Sequence, residues 1–167
     1  MAVDVRPELV ALDLSLSATG VAYVEADDQV VLTTLRSDCT GVDRLCHLAD
    51  RVLDLVDGDV GLAVIEDLVH AARGASAGPL GMLHGAVRVA LHREGIDMAF
   101  VPPASLKKYA TGRGNATKPD MRMALYQRAG LDVRDDNQVD AWWLAAMAAD
   151  AAGVPLVVVP AAQRAAL

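Results

Sequence analysis

The first 35 residues limit the possible folds more than any other part of the chain, because they hold three short strand-like runs in succession. Residues 9–14, 20–24 and 29–35 are rich in aliphatic or β-branched side chains, which are typical of strands. The sequence Ser-Ala-Thr-Gly separates the first two runs and Asp27-Asp28 separates the next two, and both favour turns. These features predict a β-meander, in which three consecutive strands pair antiparallel.

Helical and strand-like segments alternate along the rest of the chain. Apolar spacing and turn residues predict helices over residues 42–56, 80–93, 104–109, 117–129 and 136–152. Short apolar runs predict strands over residues 62–65 and 98–101, and residues 156–159 form either a last short strand or an extended tail. Without a repeat or a linker, the 167 residues fit a single domain. The predicted fold is α/β, with a mixed five-stranded sheet of a meander and two parallel strands flanked by helices.

Composition is typical of a globular protein that lies outside the membrane. Hydrophobic residues make up 53% of the chain, but no apolar run approaches the roughly 18 residues that a membrane span needs. The charged residues 1–6 are not followed by the apolar segment of a signal peptide. We therefore expect a soluble, cytoplasmic protein with no membrane partner. Cys39 and Cys46 are predicted to lie on a helix as small, buried packing residues.

The distribution of charge indicates a polyanionic ligand on one side of an acidic protein. The net charge of −7 alone would count against nucleic acid. Residues 101–128, which we call the basic window, nevertheless hold six basic side chains and one acidic one. All three lysines of the chain, Lys107, Lys108 and Lys118, lie in this window. Such a cationic patch suits a phosphate backbone, although a solvated helix face is a structural alternative.

Acidic residues stand at the ends of two apolar runs. Asp13 interrupts the first predicted strand after Leu12, and Glu66 directly follows Ile65 in the fourth. A charge in a buried strand requires a partner or a metal ion. The structural alternatives are a turn cap for Asp13 and, for Glu66, a strand end that meets water.

A third acidic group opens the last predicted helix. Asp136 and Asp140 are one turn apart and share a helix face with Trp143 and Met147, so both carboxylates are predicted to face inward. Asp135 or Asp136 also suits a helix N-cap, whereas Asp140 lies a full turn inside the helix and has no capping role.

Carboxylates that converge on one pocket need divalent cations to neutralise them. Mg²⁺ or Mn²⁺ fits, because both prefer carboxylate oxygen and water. Two such ions about 3.5–4 Å apart activate a water and stabilise the leaving oxygen in phosphoryl chemistry. The basic window would then hold the polyanion whose phosphate reaches the metal ions.

A family resemblance covers roughly residues 8–150. The motifs that carry it are Leu12-Asp13-Leu-Ser15-Leu-Ser-Ala-Thr19-Gly20, Val64-Ile-Glu66, Lys107, Lys118 and Asp136-Asn-Gln-Val-Asp140-Ala141. Together they resemble the RuvC-type Holliday-junction resolvases, including the divergent resolvases of bacteriophages. The resemblance implies an RNase H-like fold, a homodimer, and a four-carboxylate magnesium site that nicks two opposed strands of four-way or other branched DNA. It also implies a bacterial cytoplasm, or the host cytoplasm if a phage encodes the protein.

The resemblance also implies roles for the acidic residues. Asp13 would bridge two metal ions, Glu66 would bind one, and Asp140 and Asp136 would hold the other. The bacterial pattern places its last two acids three residues apart, which puts Asn137 in the acidic position. We predict Asp136 as the fourth ligand because only it is anionic, and keep Asn137 as a weaker alternative.

The basic residues take roles by the same resemblance. Lys118 would stabilise charge on the scissile phosphate, and Lys107, Lys108 and Arg113 would contact backbone phosphates. Arg73, in a glycine-rich loop after Glu66, would reach the DNA at the junction.

Two further features bear on assembly and DNA contact. The helix predicted over residues 80–93 is the candidate dimer interface, because Gly78, Gly81 and Gly85 permit close approach, although small residues also pack against sheets. For Tyr109, packing under the loop is favoured over stacking on an unpaired base.

Two functions of other classes remain open at this point. One is a branched-DNA-binding protein without catalysis, which the Asn137 departure keeps in consideration. The other is a nucleotide-binding, kinase-like lobe, since Asp-x-Ser-x-x-x-Thr-Gly after a first strand also occurs in such sheets. Those proteins generally need two lobes, and this chain supplies one.

Overall fold

The structure is a computed structural model that describes residues 8–56, 60–68 and 77–167. Its strands are β1 (Glu8–Asp13), β2 (Thr19–Val24), β3 (Val30–Leu35), β4 (Val60–Glu66) and β5 (Asp97–Val101). Its helices are α1 (Gly41–Leu53), α2 (Ala77–Arg93), α3 (Pro103–Thr111), α4 (Lys118–Ala129), α5 (Asp136–Ala151) and the short α6 (Ala161–Arg164). None of the helices in the described ranges is both long and apolar enough to cross a membrane.

The five strands form one mixed sheet in the order β3-β2-β1-β4-β5. β1, β2 and β3 pair antiparallel as a meander, and β4 and β5 extend the sheet from β1 in parallel. The predicted α/β architecture is therefore confirmed, with the predicted strand and helix order. Central β1 is apolar on both faces because helices cover both sides of the sheet.

Alternation along β1 divides the core into two layers. Leu9 and Ala11 point to the face that carries α5, with α3 and α4 packed beyond it. Val10 and Leu12 point to the opposite face, which α1 and α2 cover. α5 is therefore enclosed by the sheet on one side and by α3 and α4 on the other. Its apolar residues are buried around most of its circumference rather than on a single stripe.

The prediction for the cysteines was wrong. Cys39 precedes α1, Cys46 lies on it, and both are exposed free thiols. The buried positions of α1 include Leu45, Leu48 and Val52, and position 46 falls outside that stripe on the solvent side.

The C-terminal segment is a tail with a short helix rather than a sixth strand. Residues 156–159 join no strand, and the short α6 that follows was not predicted. Arg164 of α6 fixes this tail, since its guanidinium lies 2.7 Å from Oδ1 of the buried Asp150 in α5.

Candidate active site

Asp13 and Glu66 end two neighbouring parallel strands on the same face of the sheet. Leu12 lies opposite Ile65 in the β1–β4 register, so the residues that follow them are level with each other. Ala11, two residues before Asp13, packs in the α5-side core, and alternation places the Asp13 and Glu66 side chains on that side as well. Paired strands are about 4.8 Å apart, so the two carboxylates are neighbours.

The third carboxylate, Asp140, comes from α5, whose approach to the sheet depends on Gly20. Gly20 pairs with Asp13 across β1 and β2. A Cβ on Gly20 would lie only 2.0 Å from the carbonyl oxygen of Asn137, in the first turn of α5. The missing side chain therefore lets α5 pack on β2 and carries Asp140, one turn further on, toward Asp13.

Burial and mutual repulsion raise the pKa values of these three carboxyls. The pKa of Asp13 is raised to about 7, mainly by burial and secondarily by the negative charge of Asp140. The pKa of Glu66 is raised to about 8, mainly by burial and secondarily by the charges of Asp13 and Asp140. Burial also raises the pKa of Asp140 to about 6, although Lys118 and Lys107 lower it in part. Carboxyls shifted this far mark a site that requires a counter-charge.

Lys107 and Lys118 bring that counter-charge from the basic window. Lys118 is the first residue of α4, where the Thr117 hydroxyl accepts a hydrogen bond from the Asp120 N–H and the Asp120 carboxylate accepts one from the Thr117 N–H. This capping box makes Thr117 the N-cap and fixes the start of the helix. Its position brings Lys118 close enough to lower the pKa of both Asp13 and Asp140.

The Asp136 carboxylate forms ion pairs with two cations of α4. Its Oδ2 lies 3.4 Å from Lys118 Nζ, and its Oδ1 lies 2.9 Å from Arg122 Nε. The negative charge of Asp136 raises the pKa of Asp140. Asn137 contributes its backbone to the contact with Gly20. The structure thus places Asp13, Glu66 and Asp140 within electrostatic interaction of one another and sets the fourth predicted ligand, Asp136, beside Lys118.

Asp135 is the N-cap of α5. The sequence had left this role open between Asp135 and Asp136. The Asp135 carboxylate accepts hydrogen bonds from the Asn137 N–H at 3.0 Å and the Thr34 hydroxyl at 2.7 Å. Burial pushes the pKa of Asp135 upward, but these hydrogen bonds and Arg36 outweigh that effect and leave the pKa lowered. The resulting anion ties α5 to β3 and adds to the negative field at Asp13.

The donor set has the chemistry that a hard divalent cation requires. Asp13, Glu66 and Asp140 offer only carboxylate oxygens, which suit Mg²⁺ or Mn²⁺. Within residues 8–56, 60–68 and 77–167, however, no group of three or more His, Cys, Asp or Glu side chains is arranged closely enough to form a ready ligand set.

The predicted DNA contacts differ in exposure. Lys108 is exposed, Lys107 is half-buried and lines a surface pocket together with Asp67 and Pro102, and Arg113 is exposed but lies 3.1 Å from Asp120. Arg73 lies outside the described residues.

The Tyr109 side chain has a packing role. It is fully buried, its hydroxyl lies 3.1 Å from the Asp150 carboxylate, and its ring meets Trp143 edge-on. The packing interpretation is therefore confirmed, because the ring has no face open to a DNA base.

Sequence reasoning did not identify the positioning roles of Gly20 and Arg122. A glycine inside a strand pattern signals a close backbone approach, and that signal was present at Gly20. No comparable signal marks Arg122, because its contact with Asp136 depends on how α4 packs on α5.

A comparison with protein families shows which family has these features. Residues 9–150 match the family described as Crossover junction endodeoxyribonuclease RuvC. The chain belongs to the RuvC family. The match begins in β1, ends near the C-terminus of α5, and spans Asp13, Glu66 and Asp140. No curated protein is similar enough in sequence to count as a match.

Solved structures of Holliday junction resolvases share the fold. The chain is similar to the Thermus thermophilus RuvC structure, with 18% identity, a TM-score of 0.68, and coverage of 90% of this chain and 99% of that chain. The same bacterial RuvC in complex with a Holliday junction substrate gives 17% identity, a TM-score of 0.71, and coverage of 92% and 100%. The yeast mitochondrial Holliday junction resolvase Ydc2 gives 10% identity, a TM-score of 0.55, and coverage of 82% of this chain and 75% of that chain. The expected RNase H-like fold is confirmed, and a bacteriophage origin stays a prediction.

Proposed function

We propose that this chain is a metal-dependent endonuclease that resolves Holliday junctions or other branched DNA by hydrolysing one phosphodiester in each of two opposed strands. The observation that carries the proposal is the group of three half-buried carboxylates, Asp13, Glu66 and Asp140, whose charges interact with one another and with Lys107 and Lys118. Membership of the RuvC family supports DNA junctions as the substrate. A cytoplasmic location, where the protein can reach DNA, fits this activity.

Asp13, Glu66 and Asp140 would hold two Mg²⁺ ions, for which Mn²⁺ can substitute. Bound ions supply an activated water and neutralise charge at the reacting phosphate. Asp13 lies level with Glu66 and interacts electrostatically with Asp140, which supports a role for Asp13 as a ligand to both ions. All three carboxyls must be deprotonated to act as ligands, and their pKa values near neutrality mean that cation binding displaces protons at physiological pH.

Asp136 and Lys118 form the second part of the proposed site. We assign Asp136 as the fourth acidic residue and Lys118 as the cation that stabilises charge on the scissile phosphate. The 3.4 Å contact between them holds the ammonium group at the mouth of the carboxylate site. Fixed charge aimed at a reacting phosphate lowers the barrier because little reorganisation remains to be done.

The remaining cations would hold the DNA backbone. Lys107 and Lys108 are neighbours on α3, and Arg113 is in the loop between α3 and α4. Contacts of this kind give affinity without sequence preference. Arg73 remains a predicted contact from the segment after β4.

A homodimer follows from the proposed paired incision, since two opposed cuts need two active sites related by a two-fold axis. α2 offers the surface. Met82 is 56% exposed and Val89 is 51% exposed on this helix. Apart from the backbone of the helix itself, a Cβ on Gly81 or Gly85 would meet no atom of the described residues within 4 Å, which supports close approach by a second copy at this face.

The direct test incubates the protein with a labelled four-way junction and with a matched linear duplex, each with Mg²⁺ or with chelator. We expect paired incisions in the junction that require Mg²⁺ and are lost in Asp13→Asn. Tight junction binding without any incision by the wild-type protein would instead establish a non-catalytic junction-binding protein. Absence of junction binding would refute both readings.

Assembly is tested separately by sedimentation. Met82→Glu on α2 is expected to convert the dimer to a monomer and to uncouple the two incisions. Val42→Glu on α1, at a position that is 63% exposed, is the matched control and should leave the dimer intact. A Met82→Glu protein that remains dimeric would place the interface elsewhere.

A further inference from the structure

The residue after Glu66 is anchored on the opposite side of the sheet. Glu66 is the last residue of β4 and faces α5. Alternation turns the next side chain, Asp67, toward α2. The Asp67 N–H donates a 2.8 Å hydrogen bond to the Val101 carbonyl, which carries the β4–β5 pairing one step beyond the end of the strand. The Asp67 backbone is thus held in line with β5.

The Asp67 side chain is held as firmly as its backbone. Arg88 of α2 donates a hydrogen bond through Nη2 to Asp67 Oδ1 at 2.9 Å. The same carboxylate oxygen accepts a hydrogen bond from the Leu68 N–H at 2.9 Å. About two-thirds of each side chain in the ion pair is shielded from solvent, with exposures of 32% for Arg88 and 35% for Asp67.

Arg88 is itself fixed by an aromatic platform. Its guanidinium carbon lies 4.0 Å from the centroid of the Phe100 ring on β5. Its Nε is buried and makes no hydrogen bond within the described part of the chain. A planar guanidinium can stack on the ring and still direct an N–H to Asp67, which a lysine ammonium cannot do. Phe100 and Asp67 therefore define one orientation of the Arg88 group.

We propose that Arg88 is a positioning residue for Glu66. By clamping Asp67 against β5, Arg88 fixes the backbone at the end of β4 and with it the direction in which the Glu66 carboxylate leaves the sheet. Arg88 acts from the α2 face, while the ligands it serves lie on the α5 face. The inference rests on the proposed function in one respect, namely that Glu66 is a metal ligand.

Metal affinity measured on DNA-free protein tests this assignment. Mn²⁺ is titrated into the full chain by calorimetry for wild type, Arg88→Met, Asp67→Asn and the double variant. Arg88→Met keeps an apolar side chain on Phe100 and removes the charge, and Asp67→Asn keeps the shape. Loss of a group that orients a metal ligand typically weakens metal binding by about 10–100-fold, and that is the increase in Mn²⁺ dissociation constant expected for Arg88→Met. Because the two residues act through one contact, the double variant should lose no more Mn²⁺ affinity than whichever single variant loses more.

The control applies the same chemical change at a distance. Arg51→Met removes an ion pair with Asp54 on α1, where the two groups are 3.8 Å apart and largely exposed. This variant should bind Mn²⁺ as the wild type does. Junction cleavage, measured in parallel, should be restored in Arg88→Met by raised Mn²⁺, which loss of folding would not allow.

The possible outcomes separate this inference from the proposed function. Wild-type protein that binds Mn²⁺ and cuts junctions, together with Arg88→Met and Asp67→Asn proteins of unchanged Mn²⁺ affinity, would overturn the role of Arg88 alone. Additive losses in the double variant would also overturn it, because they would show two independent effects. Wild-type protein that neither binds Mn²⁺ nor cuts a junction would overturn the proposed function and this inference with it.

Discussion

Gly20 in β2 lies directly against the first turn of α5, so that a Cβ at this position would be 2.0 Å from the carbonyl oxygen of Asn137. The same glycine pairs with Asp13 across the sheet. One missing side chain thus sets the distance between the strand that carries Asp13 and the helix that carries Asp140.

Gly20→Ala is expected to reduce junction cleavage by about 100-fold, since a displacement of about 1 Å in a reacting group has an effect of that size. The added methyl group must push α5 outward, because its nearest neighbour is backbone and not a flexible side chain. We expect overpacking to lower the free energy of unfolding by about 1–3 kcal/mol. Single-turnover cleavage and denaturant unfolding measure the two effects. A Gly20→Ala protein that cuts at the wild-type rate would show that α5 tolerates a larger separation from β2.

The raised pKa values predict that the metal-free protein loses stability as pH rises. Asp13, Glu66 and Asp140 have folded pKa values of about 7, 8 and 6, against ordinary values of 3.8, 4.5 and 3.8. These three groups therefore bind more protons in the folded chain than in the unfolded chain between about pH 4 and pH 8, and their contribution to the free energy of unfolding falls across that range. His84, whose pKa burial lowers to about 4, opposes this trend below about pH 6.5, but it is one group against three. Thermal unfolding in chelator across this range measures the slope.

Mg²⁺ is expected to reverse this trend, because it competes with protons for the same oxygens. The increase in Tm on adding Mg²⁺ should be larger near pH 8 than near pH 6. Asp13→Asn removes one of the titrating groups and should flatten the chelator curve. A metal-free stability that rises between these pH values would contradict the environment described for the three carboxyls.

The two acidic residues of α5 are expected to differ in their effect on activity. Asp140→Asn should reduce cleavage by more than about 100-fold, as loss of a charge at the reacting centre does. Asp136→Asn should have the smaller effect, about 10-fold, because Lys118 and Arg122 engage the Asp136 side chain. Rates compared at saturating Mg²⁺ decide the order. Equal losses would make Asp136 as direct a ligand as Asp140.

The ion pair between Arg164 and Asp150 is expected to hold the C-terminal tail. Asp150 is 1% exposed, and its carboxylate meets Arg164 at 2.7 Å. Arg164→Ala leaves that carboxylate buried beside the Tyr109 hydroxyl and without its cationic partner. We expect the free energy of unfolding to fall by about 3 kcal/mol, the lower end for breaking a buried pair.

Arg51→Ala, which breaks the exposed pair with Asp54, is the control and should change the free energy of unfolding by less than about 1 kcal/mol. Urea unfolding of both variants gives the comparison. Similar values for the two variants would mean that the tail contributes little to the stability of the domain.

The sequence by itself determined the order of the elements and the identity of the acidic residues. Strand and helix patterns depend on neighbours a few residues away, and they predicted every strand in the described ranges and the start of α4 to within one residue. Asp13 and Glu66 were recognisable because a charge at the end of an apolar strand is costly without a partner. The cysteines were misplaced because the three-four spacing around Leu45 and Leu48 locates the buried stripe of a helix, and Cys46 lies beside that stripe rather than on it.

Only the tertiary structure decided which of these residues meet. The contact of Gly20 with Asn137, the pairing of Asp136 with Lys118 and Arg122, and the clamp of Arg88 on Asp67 all join segments far apart in the chain. Each depends on how closely a helix packs on the sheet or on another helix. Packing distances of that kind follow from the volumes of all the side chains between two elements, and local periodicity does not contain them.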